Sequence, residues 1–142
     1  MGASYLEHLN LTVVDIDRTI RFLRTAMPEF EVRGTGGDNG GTLKRWVHLG
    51  TDTSYVAIED RGAQGPGPHE AYVHPGVNHI GFVVEDVDEV AERLRSAGYR
   101  EKKSVMTHPH RKRIYFLDED GIEYEFIQYL SEKLYERNDY DL

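Results

Sequence analysis

The chain has 142 residues, no cysteine, and 25 acidic against 17 basic side chains, for a formal charge of -8. The length fits one domain of the usual roughly 100–200 residues. The charge disfavours a nucleic-acid partner, and the missing cysteines remove disulfides, thiolate metal sites and cysteine nucleophiles together. No apolar run approaches the ~20 residues of a membrane span, and no charged-then-apolar leader opens the chain. The expectation is a cytoplasmic protein that does not enter a membrane.

Residues 5–14, rich in branched side chains, predict a strand. Asp15 or Asp17 can cap the helix that follows, with Ile16, Ile20 and Leu23 on one face and a stop near Pro28. Phe30–Arg33 reads as a short strand, Gly34–Gly41 as a hairpin loop, and Leu43–Leu49 and Ser54–Glu59 as two more strands. Residues 61–76, rich in proline and glycine, form a linker. Val77–Glu85 then reads as a strand. Val87–Gly98 reads as an amphipathic helix with Val87, Val90, Ala91, Leu94 and Ala97 on one face and Gly98 as its stop. Tyr99–Val105 is a weak strand, and Arg113–Leu117 and Glu123–Tyr129 are strong ones. A short helix is expected over Ser131–Glu136, followed by a polar tail expected to be mobile unless something holds it.

This order is a repeat. His8–Leu23 aligns without a gap on His79–Leu94, matching His8 with His79, Val13 with Val84, Asp15 with Asp86, Asp17 with Asp88 and Leu23 with Leu94. The chain therefore reads as one α+β domain, residues 1–142, made of two βαβββ modules (about 5–60 and 77–129) and a tail from 130. Modules of that size are marginal alone. Paired, they should form a U-shaped mixed sheet with helices outside, and such concave boundaries favour ligand sites.

The repeat places a histidine at the same point of each copy. In the last strand, Glu123 and Glu125 share a face, and Glu125 lies between Tyr124 and Phe126, a costly place for a charge without a partner. His8, His79 and Glu125 together offer two imidazoles and a carboxylate. Such a set leaves coordination positions open for substrate or water. The ion could polarise a substrate oxygen or activate water. Both imidazoles must be neutral to bind, so occupancy should fall in acid.

The pattern resembles the vicinal oxygen chelate superfamily, which contains glyoxalase I, fosfomycin-resistance proteins, methylmalonyl-CoA epimerase, extradiol dioxygenases and bleomycin-binding proteins. The resemblance runs from about Leu6 to Tyr129. It is carried by Val77–Asp88 with the helix ending at Gly98, and by the Phe116-Leu-Asp-Glu-Asp-Gly121 turn leading to Glu125, where Glu119 replaces the proline usual in the family. It implies His8, His79 and Glu125 as ligands of a divalent metal (Fe, Mn, Zn or Ni) and a lyase, transferase or dioxygenase acting on a small, anionic, oxygen-rich substrate, in a homodimer. The alternative it offers is a metal-free protein of the bleomycin-resistance type that sequesters a ligand. Glyoxalase I-like members carry a further glutamate in the last strand of the first module. Matching Asp52 to Asp120 puts Ala57 at that place, with Glu59 two residues on as a possible substitute. The fold itself hosts several chemistries and does not choose among them.

Strand parity nominates the rest of the cleft. Asn10 and Thr12 share a face with His8, while Gly81 would leave space beside the metal. Arg113 and Tyr115 alternate together as catalytic and substrate-binding candidates, and Tyr115 resembles a tyrosine that touches the substrate anion in fosfomycin-resistance proteins. Matching Leu49 to Leu117 adds Arg45 and Val47 as their equivalents and turns His48 away. Arg45 and Arg113 could hold a carboxylate or phosphonate by a planar fork. The basic run His108–Arg113 could steer an anion, or be a solvated loop. His69 and His74 receive no role.

Overall fold

The computed structural model describes residues 2–37, 45–60, 62, 65–104 and 106–141. The chain divides into two compact units, Met1–Gly67 and Pro68–Leu142, with the boundary inside the linker.

In the first unit the order is β1 (His8–Thr12), α1 (Ile16–Ala26), β2 (Glu31–Gly36), β3 (Trp46–Gly50) and β4 (Tyr55–Glu59). In the second it is β5 (His79–Val83), α2 (Val87–Ser96), β6 (Arg100–Lys102), β7 (Arg111–Leu117), β8 (Glu123–Tyr129) and a short α3 (Leu134–Arg137). The sheets have the same topology, β1-β4-β3-β2 and β5-β8-β7-β6. In each, the first strand runs parallel to the last and the other neighbours are antiparallel.

The helix starts repeat as closely as the sequences do. Asp15 and Asp86 both sit in extended backbone, and each accepts hydrogen bonds from the first free amides of its helix. The choice between Asp15 and Asp17 thus falls on Asp15. Asp17 is left for the first turn, where a carboxylate suits the positive end of the helix. Behind α1 lie Val13, Ile16, Phe22, Leu23, Val47, Leu49, Val56 and Ile58, all buried; behind α2 lie Val87, Val90, Ala91, Leu94, Phe116, Tyr124 and Phe126. Ala97, expected on that face, is exposed at the helix end, just before Gly98 turns the chain with φ 87°.

Three expectations need correction. β2 runs on through Gly34 to Gly36, where a loop was expected, because the Trp46 ring lies over both glycines and a bulge between Val32 and Gly34 keeps β2 paired with β3. The rest of the expected loop and the start of the strand predicted from Leu43 fall on residues 38–44, outside the described residues. The polar tail is held: Leu130 N–H donates to the His110 carbonyl, His108 Nε2 lies 2.9 Å from the Asp139 carbonyl, and Arg137 donates to the Ser131 carbonyl and covers the Tyr129 ring. Finally, half of the basic run is strand. Arg111, Lys112 and Arg113 open β7, and Lys112 is paired with Asp88 of α2 at 2.6 Å.

Candidate functional site

β8 sorts its side chains by parity. Tyr124 and Phe126 stack with Phe82 in the layer against α2. Glu123 and Glu125 therefore point to the opposite face, yet only 5 % and 8 % of each is exposed. Two carboxylates can be held so far from water only if partners replace it. The strands on either side supply those partners. β5 brings His79 opposite Glu123 and Gly81 opposite Glu125, and β7 brings Tyr115 opposite Glu125.

His79 lies between the two carboxylates. Its Nε2 is 3.0 Å from Glu125 Oε2, and its Nδ1 is 3.4 Å from Glu123 Oε2. Nδ1 is also 3.0 Å from the Tyr72 hydroxyl, which donates to the same Glu123 oxygen. Lys102 Nζ reaches the other Glu123 oxygen at 2.5 Å and sits over the Tyr72 ring. Burial pushes the Glu123 carboxyl up, but the bonds from Lys102 and Tyr72 outweigh it and hold it below the ordinary carboxylate range. The Tyr72 hydroxyl is pushed up to about 12 by burial and by the Glu123 charge, so it stays a donor. A cavity of about 480 Å³ opens beside this chain of contacts, lined by Tyr72, Asn78, Arg100 and Lys102 among others.

On the other flank, Arg113 Nε stands 4.0 Å from Glu125 Oε1, and Tyr115 meets the His79 ring edge-on. Burial first, and the bond to Glu125 second, raise the Tyr115 hydroxyl above its ordinary value. A Cβ at Gly81 would lie 4.0 Å from Glu125 Oε2, so the glycine leaves that side of the carboxylate open.

The first unit repeats the frame with different side chains. Its ladder puts His8 opposite Tyr55, Asn10 opposite Ala57 and Thr12 opposite Glu59. Ala57 therefore holds the place of Glu125, as the sequence match implied, and Glu59 that of Ile127. His8 is exposed, stacks on Tyr55 with centroids 4.7 Å apart, and keeps its Nδ1 3.0 Å from Glu7 Oε1. Asn10 and Thr12 are exposed on the same strand face.

The parity expected for β3 is reversed. β3 pairs His48 with Ala57 and Trp46 with Glu59, while β7 pairs Tyr115 with Glu125 and Arg113 with Ile127. The first-unit equivalents of Tyr115 and Arg113 are thus His48 and Trp46. Val47 is buried, and Arg45 reaches Asp17 of α1 at 2.9 Å, on the helix side of its sheet. His48 stacks with Tyr55 and touches Trp46, extending the ring row that begins at His8.

Among the described residues, no three His, Asp or Glu side chains gather as a metal cluster. The second unit contributes His79 and Glu125. Their facing nitrogen and oxygen fit a metal, because 3.0 Å is close to the spacing of two ligands that hold one ion at right angles with bonds of about 2.1 Å. Tyr72 and Lys102 were not nominated from the sequence. The only signal for Glu123 was its parity with Glu125.

Residues 5–126 match the family model of the Glyoxalase/Bleomycin resistance protein/Dioxygenase superfamily. The chain belongs to this superfamily. Among solved structures, it is similar to the fosfomycin resistance protein FosX from Listeria monocytogenes, with a TM-score of 0.71 and 24% identity over 96% of this chain and 99% of that one. A form of the same protein complexed with Mn(II) and sulfate gives 0.67 and 23% over 98% and 100%. A glyoxylase/bleomycin resistance protein/dioxygenase domain from Frankia gives 0.72 and 22% over 97% and 100%. At these identities the superfamily members share the fold. No curated protein matches the sequence.

Proposed function

We propose that the chain is a divalent-metal enzyme of this superfamily, acting on a small, anionic, oxygen-rich substrate. His8, His79 and Glu125 are its metal ligands. The observation that carries this reading is the 3.0 Å approach of His79 Nε2 to Glu125 Oε2, a carboxylate that is almost wholly buried. A Mn(II) complex of FosX supports a hard or borderline divalent ion, in keeping with a site built without thiolates. Such an ion polarises a substrate oxygen and offsets the charge that develops on it.

The chain's own groups do the rest. Arg113, with 16 % of its side chain exposed, presents a planar guanidinium beside Glu125 that can hold a carboxylate or phosphonate by two parallel bonds. Tyr115 keeps its proton well above neutral pH, so it orients an anionic oxygen as a donor. Asn10 and Thr12 line the face beside His8. A FosX complex with a dihydroxypropylphosphonic acid supports an anionic substrate of this size.

Neither unit holds all three ligands: His8 belongs to the first, His79 and Glu125 to the second. The test is calorimetric titration of chelator-treated protein with Mn(II), Fe(II), Ni(II) and Zn(II), repeated on His79→Ala. Micromolar or tighter binding that His79→Ala abolishes supports the reading. Failure to bind any of the four overturns it.

A further inference from the structure

We infer that the cavity beside Glu123 is a second binding subsite, which takes the distal part of the substrate: an apolar chain that ends in a carboxylate or phosphate. The inference rests on the reading of His79 and Glu125 as metal ligands. Its argument begins with the strand ladder. His79 stands opposite Glu123, Glu123 opposite Leu117, and Leu117 opposite Arg100. Residues directly opposite share a sheet face, so one row crosses β5, β8, β7 and β6 and leads from the histidine to Arg100. The row covers three strand spacings, about 14 Å from backbone to backbone. Glu123, Leu117 and Arg100 all line the cavity, whose volume of about 480 Å³ is that of a ligand pocket. Tyr72 lines it too, and like Glu123 it touches His79. The cavity therefore continues the face that carries the proposed ligands.

The lining states what the cavity can hold. Leu117 interrupts a polar row: it lies between Glu123 and Arg100, half-buried, on the face opposite the core residue Phe116. With Ala71 and the Tyr72 ring it makes an apolar floor. The charges around that floor are unequal. Glu101 is taken up by Arg95 through two bonds of 2.8 Å, and Glu123 by Lys102 at 2.5 Å. Arg100 is exposed and meets no carboxylate among the described residues, which leaves the cavity one uncompensated positive charge. Asn78 adds a neutral donor: its Oδ1 accepts the Tyr72 amide at 2.6 Å, so its amide nitrogen is left for a ligand. A planar guanidinium and an amide donor at the edge of an apolar floor suit an organic anion, with the anionic end at Arg100.

The test uses the full chain, its Arg100→Ala variant, and Ala71→Phe, which fills the cavity; both positions are exposed, so both variants should fold. The probes are acetate, octanoate and suberate, titrated into Zn(II)-loaded and metal-free protein while ¹H–¹⁵N spectra are recorded. Acetate offers the metal a head group alone, octanoate adds an apolar chain, and suberate adds a distal carboxylate. Octanoate should bind the loaded chain tighter than acetate. Suberate should bind about tenfold tighter again, the worth of one charge-assisted pair. The amides of Asn78 and Gly121, on the cavity wall, should shift as suberate enters. Arg100→Ala should return suberate to the affinity of octanoate, Ala71→Phe should return both to that of acetate, and acetate itself should be unaffected. Suberate no tighter than octanoate, or an affinity that neither variant lowers, would overturn the inference. If wild type takes up no Zn(II), yet suberate shifts Asn78 and Gly121 in a way that depends on Arg100, the metal reading fails and the cavity stands as an anion subsite.

Discussion

His79 Nε2 and Glu125 Oε2 face each other across 3.0 Å. At that spacing the pair can share a metal ion between nitrogen and oxygen. Divalent metal should therefore bind at neutral pH and be displaced in acid, as protons compete for two imidazoles and a carboxylate. The expected dependence is a Mn(II) affinity that falls steadily as the pH is lowered. His79→Ala should remove binding while leaving the far-UV circular dichroism unchanged. Metal retained by His79→Ala would show that the ion sits elsewhere.

The proposed ligands divide between the two units, His8 in the first and His79 and Glu125 in the second, which gives a genetic test of the proposed homodimer. Chains carrying His8→Ala and chains carrying His79→Ala should each bind no metal. Refolded together, they should regain one site per mixed dimer if the first unit of one subunit serves the second unit of its partner. That corresponds to about a quarter of wild-type capacity in a statistical mixture. No recovery in a confirmed mixed dimer would place all three ligands within one chain.

Much of this was legible in the sequence because the signals were periodic. β8 was read with the bounds Glu123–Tyr129 because its apolar and charged positions alternate cleanly, and the ungapped repeat paired Asp15 with Asp86, the residues that cap the two helices, although Asp15 and Asp17 both stayed open for the first. Parity failed at β3 for a definable reason. The loop between β3 and β4 is Thr51–Ser54, while that between β7 and β8 is Asp118–Ile122, one residue longer. An ungapped match anchored on Asp52 and Asp120 is right after the turn and one residue out before it. One residue reverses every side chain of a strand, which is how Arg45 was nominated in place of Trp46 and His48 was turned away. Tyr72 was not legible: it lies in a linker without periodicity, 51 residues from the carboxylate it serves. Only the folded chain brings them together.

Two glycines separate a rigid from a yielding constraint. A Cβ at Gly50 would meet the Ser54 carbonyl oxygen at 2.2 Å and Tyr55 Cα at 2.5 Å, both backbone atoms at the β3–β4 turn. A Cβ at Gly36 would meet the Trp46 ring at 2.6 Å, but a side chain can tilt. Gly50→Ala should cost about 2–3 kcal/mol and Gly36→Ala about 1 kcal/mol. Because Trp46 is the only tryptophan, its fluorescence reports the difference. Gly36→Ala should shift native emission with little change in the denaturation midpoint, and Gly50→Ala the reverse. Equal midpoints would contradict the contact geometry.

Asp118 governs the turn that delivers Glu123 and Glu125. Its carboxyl accepts from the amides of Asp120 and Ile122 and from the Tyr124 hydroxyl at 3.1 Å, and Tyr124 is wholly buried. Asp118→Ala strands those donors and should cost about 2–3 kcal/mol. The pH dependence has the opposite sign from a salt-bridged carboxylate. Burial raises the Asp118 carboxyl above its ordinary 3.8 because it penalises the charge by more than the three donors recover. The folded chain thus keeps the proton to a higher pH than the unfolded one. The resulting stabilisation is full below about 3.8 and is lost as pH rises through the folded value. Asn cannot ionise, so the stability of wild type relative to Asp118→Asn should fall as pH rises from about 3.8 through the folded value and stay flat above it. Thermal unfolding of the pair across that range reads it. A difference that grows with pH would mean that the turn holds Asp118 as a favoured carboxylate.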